Sequence, residues 1–477
     1  MDLTHKSQSA LEYMMTYGWA ILVIVIVAAV LYSLGIFSPS SSLSTTITGF
    51  SNLGTVNAVC LGGTSFTISM GDSTGYPINV TQINLTSSSG KTTYSPNILV
   101  QPNSIQTVTV PSSSLCTSGA RYSVSAVISY LEPGQIFPGP YTSTGTVAGT
   151  ANSLPSSATL YEPLNITNTQ NEGTPSPFQQ MINVTSSSPG WADISSSPFG
   201  QNVEFFSSTG QILESWLESY TSTNAIWWVK LTSSIPAGSK QTIYMGFAPT
   251  STNLFNTNNI GEAPQLSLTY AEYDDGANVF NFYDNFAGTS LNTNKWTDEG
   301  ITYTVNNGFT ATSTAPSGYI YSSTQVTPPY VIEFYGNLGG QSTSTTAETG
   351  GMKIPATNAN NFYGVAIGSG YPTSGNYLAQ MTNNGAISNV VLSGAFQNAV
   401  LTINVVNSTT STYYYNYASK VAVSADAPQY PVNLMLIGAP AGASAYSFSP
   451  ASFIQWFRTR TYPPNGVMPS VTFGSVS

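Results

Sequence analysis

Nucleophilic catalysis of the Ser-His-Asp or Cys-His kind needs an imidazole, and this chain carries one histidine, His5, at its very start. The two cysteines, Cys60 and Cys116, are the only thiols, so the usual His- and Cys-ligated zinc and iron centres also lack their residues. Carboxylates remain. A glycoside hydrolase needs only two acids, and Glu214 and Glu218, four residues apart, share a face on a strand or a helix. Asp274, Asp275 and Asp284, with Asn-rich turns around them, offer the oxygen donors that a hard cation such as Ca2+ takes; loop capping and Asx-turns account for the same residues. Trp228, Tyr335 and Tyr414 lie on the less regular faces of their strands. There they could stack on the apolar side of a pyranose, or pack in a core or at an interface.

These residues are positioned by a chain of unusual surface. Of 477 residues only 6% are charged, far below the roughly 25% of ordinary soluble proteins, and Ser, Thr, Asn, Gly and Tyr take their place. With 41% hydrophobic and 12% aromatic residues the chain can still build cores. The ten Lys and Arg are scattered, which argues against nucleic acid as a partner. A surface that relies little on ionised carboxylates loses little as they protonate, so tolerance of acid is expected.

Period-two alternation dominates the pattern. Phe66, Ile68 and Met70 oppose Thr67 and Ser69, and Tyr122, Val124, Ala126, Ile128 and Tyr130 oppose Ser123, Ser125 and Ser129. Mainly β architecture follows: one N-terminal transmembrane α-helix, then tandem β-sandwich or jelly-roll domains. The expected segments are 1–7, a leader; 8–37, the membrane helix; 38–157, a first β-sandwich; 158–267, a second β-rich domain; and 268–477, a larger jelly roll. Cys60 and Cys116 fall in the first sandwich, either bonded, which outside the cell is the favoured state, or as two buried thiols. In the second domain the run NAIWWVKL sends Trp227 and Trp228 to opposite faces, so one must serve a domain interface, a second layer or a ligand platform.

The N-terminal helix carries the localisation. From Tyr13 to Phe37 no residue is charged, and at about 1.5 Å per residue this outspans a hydrocarbon core of about 30 Å. Lys6 precedes the run and no Lys or Arg follows until Lys91, which puts the N-terminus in the cytoplasm and the bulk outside the cell. The stretch Lys6-Ser7-Gln8-Ser9-Ala10-Leu11-Glu12-Tyr13 resembles the class III signal peptide of archaeal type IV pilin-like proteins. That resemblance implies cleavage between Ser7 and Gln8 and places Glu12 at mature position five, where it would meet the N-terminal amine of a neighbouring subunit. Ser7 departs from the Gly frequent in that family. Membrane lipid and other pilin-like subunits are the implied partners.

Two further resemblances cover the outer chain. ESWLESYTSTNAIWWVKL followed by IPAGSKQTIYMGF is similar to domain of unknown function 2341, for which no activity is established. DNFAGTSLNTNKW and the closing FIQWFRTRTYPP look like a concanavalin A/laminin-G-like module. Some jelly-roll glycosidases carry Glu-x-Asp-x-x-Glu on one strand; Glu272 followed by Tyr273, Asp274, Asp275 and Gly276 breaks that spacing. The sequons at Asn79, Asn84, Asn165, Asn183 and Asn407 suit an exposed surface protein. Taken together, the sequence points to a membrane-anchored, adhesive surface protein whose outer domains engage glycans or neighbouring surfaces. A tethered hydrolase using a carboxylate pair is the alternative.

Overall fold

The computed structural model describes residues 45–476 except Asn52, Asn103, Ser156 and the segments 339–346, 353–361, 369–375, 384–385, 393–397, 408–409, 425–430 and 439–444. The expected leader and membrane helix, with Ser7, Gln8 and Glu12, lie outside the described residues. Among the described residues no helix is long and apolar enough to cross a membrane. The chain forms two compact units, one ending at Leu154 and one from Pro155 to Ser477.

In the first unit alternation builds two sheets. Leu53–Leu61, Ser65–Asp72 and Ile105–Pro111 form a three-stranded sheet, and the six-stranded sheet is centred on Ile78–Thr86, Arg121–Leu131 and Tyr141–Thr150. Phe66, Ile68 and Met70 meet Val124, Ala126 and Ile128 in one buried core. On the opposite face of the smaller sheet, hydroxyl pairs line up across the strands: Thr67 with Thr109 at 3.1 Å and Ser69 with Thr107 at 2.8 Å. Cys60 and Cys116 are bonded, closing a loop of 56 residues.

The second unit holds the two remaining β regions together. Residues 158–267, with the chain's last strand, form a sandwich of a five-stranded sheet, in which Lys240–Phe247 lies between Leu160–Thr167 and Val203–Ser207, and a four-stranded sheet ordered Phe178–Thr185, Asn224–Leu231, Ser215–Tyr220 and Ile260–Glu262. Residues beyond 268 build a thirteen-stranded sheet through Tyr446–Thr461, Tyr330–Asn337, Ala399–Asn407 and Thr410–Tyr415. The division expected at 267 is not a clean one. The last strand, Ser470–Phe473, returns to pair with Leu160–Thr167, because that strand would otherwise leave an edge unpaired.

One acid lies inside the smaller sandwich. Glu162 is fully buried; one carboxylate oxygen accepts the Gly190 N–H at 3.2 Å and the other has no partner. A Cβ at Gly190 would come within 2.5 Å of that oxygen, so only glycine allows the approach. Burial pushes the Glu162 carboxyl up to about 7, against the Gly190 hydrogen bond. Burial raises Asp275 to about 7 as well, and lifts Glu204, Glu262 and Asp274 in the same direction. Groups raised in the folded state add stability that is complete below their unfolded values, near 4.5 for Glu162, and is lost as pH rises through about 7.

Two outcomes follow for the full chain. Breaking Cys60–Cys116 by paired substitution to Ala should destabilise the first unit by about 4 kcal/mol, measured by denaturant unfolding. The second unit should melt higher at pH 5 than at pH 8 by about 3–8 °C, and Glu162→Gln should flatten that dependence.

Candidate functional site

Alternation along four strands of the large sheet sends Phe457, Ile332, Phe334, Leu401, Ile403 and Tyr413 into its own core. The residues between them, Trp456, Arg458, Arg460, Glu333, Thr402, Asn404 and Tyr414, therefore take the other face. Register puts Arg458 opposite Glu333, Glu333 opposite Thr402 and Thr402 opposite Tyr414, a single cross-strand row. The smaller sandwich answers with a row of its own, in which Trp216, Trp228 and Met181 are directly paired.

Where these faces meet, a buried ionic cluster forms. Arg458 has no exposure to water. Its Nη2 donates to Glu218 Oε2 at 2.7 Å and to the Tyr417 hydroxyl at 2.9 Å, and its Nε donates to Glu333 Oε2 at 2.7 Å. The other Glu333 oxygen accepts from Arg460 Nε and Nη2 and from Thr402 Oγ1, each at 3.0 Å. Glu218 also accepts Trp228 Nε1 at 2.7 Å and the Tyr417 hydroxyl. Two cations and two anions thus balance. Aromatic rings close the shell: the Arg458 guanidinium lies 4.3 Å from the Phe280 centroid, 4.5 Å from Trp456, 4.7 Å from Trp228 and 5.2 Å from Trp216.

Electrostatics keep Glu333 and Arg458 ionised. Burial alone would raise Glu333, but the guanidiniums of Arg458 and Arg460 outweigh it and hold its carboxyl below the usual range. Burial would likewise lower Arg458, and the Glu333 and Glu218 carboxylates raise it instead. Neither acid has the geometry of a general acid: each is buried against a guanidinium.

Beside the cluster opens a cavity of about 110 Å3 lined by Met181, Trp228, Thr402, Asn404, Tyr414, Tyr417, Arg460, Pro463, Gly466 and Met468. Asn404 and Arg460 are 4% and 5% exposed, and Asn404 Oδ1 and Arg460 Nη1 are buried without a hydrogen-bond partner. A groove of about 450 Å3 shares Pro463 with it and is bounded by Tyr462 and Asn465.

The residues singled out from the sequence fare differently here. Trp228 and Tyr414 line the same cavity. Trp228 is fully buried with the guanidiniums of Arg458 and Arg460 over its ring, so it serves the interface and is not an open stacking platform. Tyr335 stacks on Trp456 at 5.8 Å and is not among the residues lining that cavity. Glu214 and Glu218 do not act as a pair: Glu214 bridges to Lys230 at 2.7 Å near the surface.

The three aspartates do not gather round a cation either. Asp274 accepts from Trp216 Nε1, Tyr283 Oη, Asn285 Nδ2 and the Gly276 N–H, Asp275 accepts from Asn278, and Asp284 accepts Trp296 Nε1 at 2.6 Å. Protein donors hold these oxygens, all but Asp275 Oδ2, where Ca2+ would need them free. Among the described residues no group of three or more His, Cys, Asp or Glu could hold a metal. The sequon residues Asn79, Asn84, Asn165, Asn183 and Asn407 all keep some exposure. Arg458, Arg460, Glu333 and Asn404 were missed, although Trp456, Arg458 and Arg460 at period two were a legible signal in a chain with ten cations.

Comparison with known proteins adds a family to part of this site. Residues 199–262, which supply Trp216, Glu218 and Trp228, match the domain of unknown function DUF2341. Over 339 residues the chain is 31% identical to uncharacterized protein 562 of Sulfolobus islandicus rod-shaped virus 1, a match covering 65% of this chain and 58% of the viral protein. Among solved structures, a β-1,3-glucanase from Mycobacterium marinum is 13% identical over 38% of this chain and 98% of its own, with a TM-score of 0.30. A Bacillus licheniformis β-glucanase is 14% identical over 38% and 97%, with a TM-score of 0.28. Likenesses this low assign neither fold nor activity to the chain.

Arg458→Met should destabilise the second unit by about 3–5 kcal/mol, because it leaves Glu218 and Glu333 buried without their shared counter-charge. The check is a fall in the denaturant midpoint at unchanged slope.

Proposed function

We propose that the chain is a membrane-anchored cell-surface protein of pilin-like, adhesive type, whose outer β-domains bind glycans or neighbouring surfaces. The observation that carries the binding half is the cavity at the meeting of two sheets, with Asn404, Arg460 and Tyr414 in its lining. A surface poor in charge and rich in hydroxyl and amide side chains supports the same reading, since it can meet uncharged hydroxyl-bearing partners without stripping water from ions. The anchoring half rests on the uncharged run from Tyr13 to Phe37 and on Glu12 within the Ser7-Gln8 motif.

The hydrolase alternative draws no support from the cluster. Glu218 and Glu333 sit next to the cavity, yet both are committed to Arg458, and Glu333 stays ionised where an acid catalyst must carry a proton.

Detergent-solubilised full-length protein on a glycan array, beside an assay for released reducing ends, should show retention of bound glycans without turnover. Release of reducing ends that disappears in Glu218→Gln would establish the enzyme instead. N-terminal sequencing of the native, membrane-derived protein should begin at Gln8, and a mature chain beginning at Met1 would remove the pilin-type processing.

A further inference from the structure

The first sandwich has two unlike ends. At one end the connections 62–64, 87–90 and 112–120 are mostly Ser, Gly and Thr, and Lys91 and Arg121, the cations of this unit among the described residues, begin their strands there. At the other end lie the turns 73–77 and 132–140 and the connection between Ile98–Val100 and Ile105–Pro111. In or beside these stand Tyr76, Leu99, Ile105, Ile136, Phe137 and Tyr141, the six exposed large hydrophobic side chains of this unit, with Ile136 at 90% and Phe137 at 78%. Register fixes the placement. Gly71 pairs with Ile105, Asn79 with both Leu99 and Leu131, and Tyr130 with Tyr141, so one end of both sheets carries all six.

The apolar end is built, not frayed. The Glu132 N–H donates to the Pro138 carbonyl at 2.8 Å and the Tyr141 hydroxyl to the Phe137 carbonyl at 2.6 Å, which holds the turn with Ile136 and Phe137 in solvent. Thr74 donates to Asp72 Oδ1 from its N–H and its hydroxyl, each at 2.8 Å, and so fixes the turn that carries Tyr76. Surface apolar residues are ordinarily scattered singly, and a gathering of them marks a place of contact.

Shape, charge and reach name the occupant. A bilayer takes up a projecting turn side chain by side chain, to a depth of about 5–10 Å. A stable dimer needs a matched face of about 800 Å2 on each partner, more than the two most exposed side chains supply. The charged groups at this end are acids, Glu132 and the buried Asp72, so contact here is apolar and not ionic. Tyr76 and Tyr141 flank the pair as tyrosines do at a membrane–water boundary. The uncharged run ends at Phe37, nine residues before Thr46, and that stretch reaches at most about 30 Å. Thr46 pairs with Ala148, and from there back to Tyr141 along Tyr141–Thr150 is about 24 Å. A leaning sandwich therefore brings its apolar end to the lipid that would hold residues 13–37.

We infer that Ile136 and Phe137 insert into the outer leaflet of the membrane that anchors the chain, with Tyr76 and Tyr141 at the headgroup boundary, so that the first sandwich is held to lipid at both of its ends. This rests on the reading of residues 13–37 as a membrane helix.

The test uses the full chain in lipid vesicles, with one environment-sensitive fluorophore on Ile136→Cys or, at the opposite end, on the exposed Ser89→Cys; the natural cysteines are bonded to each other and do not take the label. A nitroxide on the upper acyl chain should quench the label at 136 about threefold and leave that at 89 unchanged, and iodide in solution should do the reverse. With the label on Gln135→Cys, joint Ile136→Ser and Phe137→Ser should abolish the lipid quenching, with a melting temperature within a few degrees of the parent because both side chains are exposed.

Iodide quenching at 136 without lipid quenching, in a chain that stays with the vesicles through alkaline extraction, would overturn the insertion and leave the anchor standing. A chain stripped from the vesicles by that extraction would overturn the anchor and the insertion with it. Quenching only by nitroxide lipid in a second vesicle population would place the tip in a facing membrane, and self-quenching between chains labelled at 136 without lipid quenching would assign it to a second copy; either overturns the inference.

Discussion

A guanidinium with no access to water has to find its counter-charges inside the protein, and Arg458 finds them on two different sheets. Glu333 lies beside it on the neighbouring strand, and Glu218 reaches it from the four-stranded sheet across the interface, 240 residues earlier in the chain. Desolvating each ion costs several kcal/mol, and the return comes only when every member is in place. That condition makes the seam between the smaller sandwich and the large sheet all-or-none. The arrangement fixes which strands face one another, which aromatic rings line the gap, and where the small cavity is left.

Aromatic packing and ionic pairing are one device here. Trp228 donates to Glu218 while its ring lies under two guanidiniums, and Trp216 is held by Asp274, whose oxygens also tie down Tyr283 and Asn285. The aspartate that resembled a calcium ligand thus orients the wall of the arginine cage. Asn404 and Arg460 stand at the edge of this network and line the cavity beside it; each has one unpaired buried atom, as do Arg458 and Trp456 within the packed interface.

Much of the fold was legible because a strand's period of two is a strong signal when one face is buried. It separated Phe66, Ile68 and Met70 from their hydroxyl neighbours, and it required Trp227 and Trp228 to part; Trp227 does join the sandwich core while Trp228 joins the seam. The disulfide followed from two cysteines in one sandwich. What periodicity could not supply was partnership across long separations. Glu214 and Glu218 looked alike at spacing four, yet one meets Lys230 at the surface and the other a buried arginine. The return of Ser470–Phe473 to the earlier sandwich was hidden for the same reason, since pairing with Leu160–Thr167 is written in neither segment alone.

If the arginine clasp unites the smaller sandwich and the large sheet, they must open together. Native-state hydrogen exchange on the full chain measures this most directly, by comparing amides of Asn224–Leu231 in the smaller sandwich with those of Tyr446–Thr461 in the larger sheet. A single shared opening free energy for the slowest amides of both strands is the predicted result. Opening energies differing by more than about 2 kcal/mol between the two strands would contradict it and show the smaller sandwich and the large sheet to be independent neighbours.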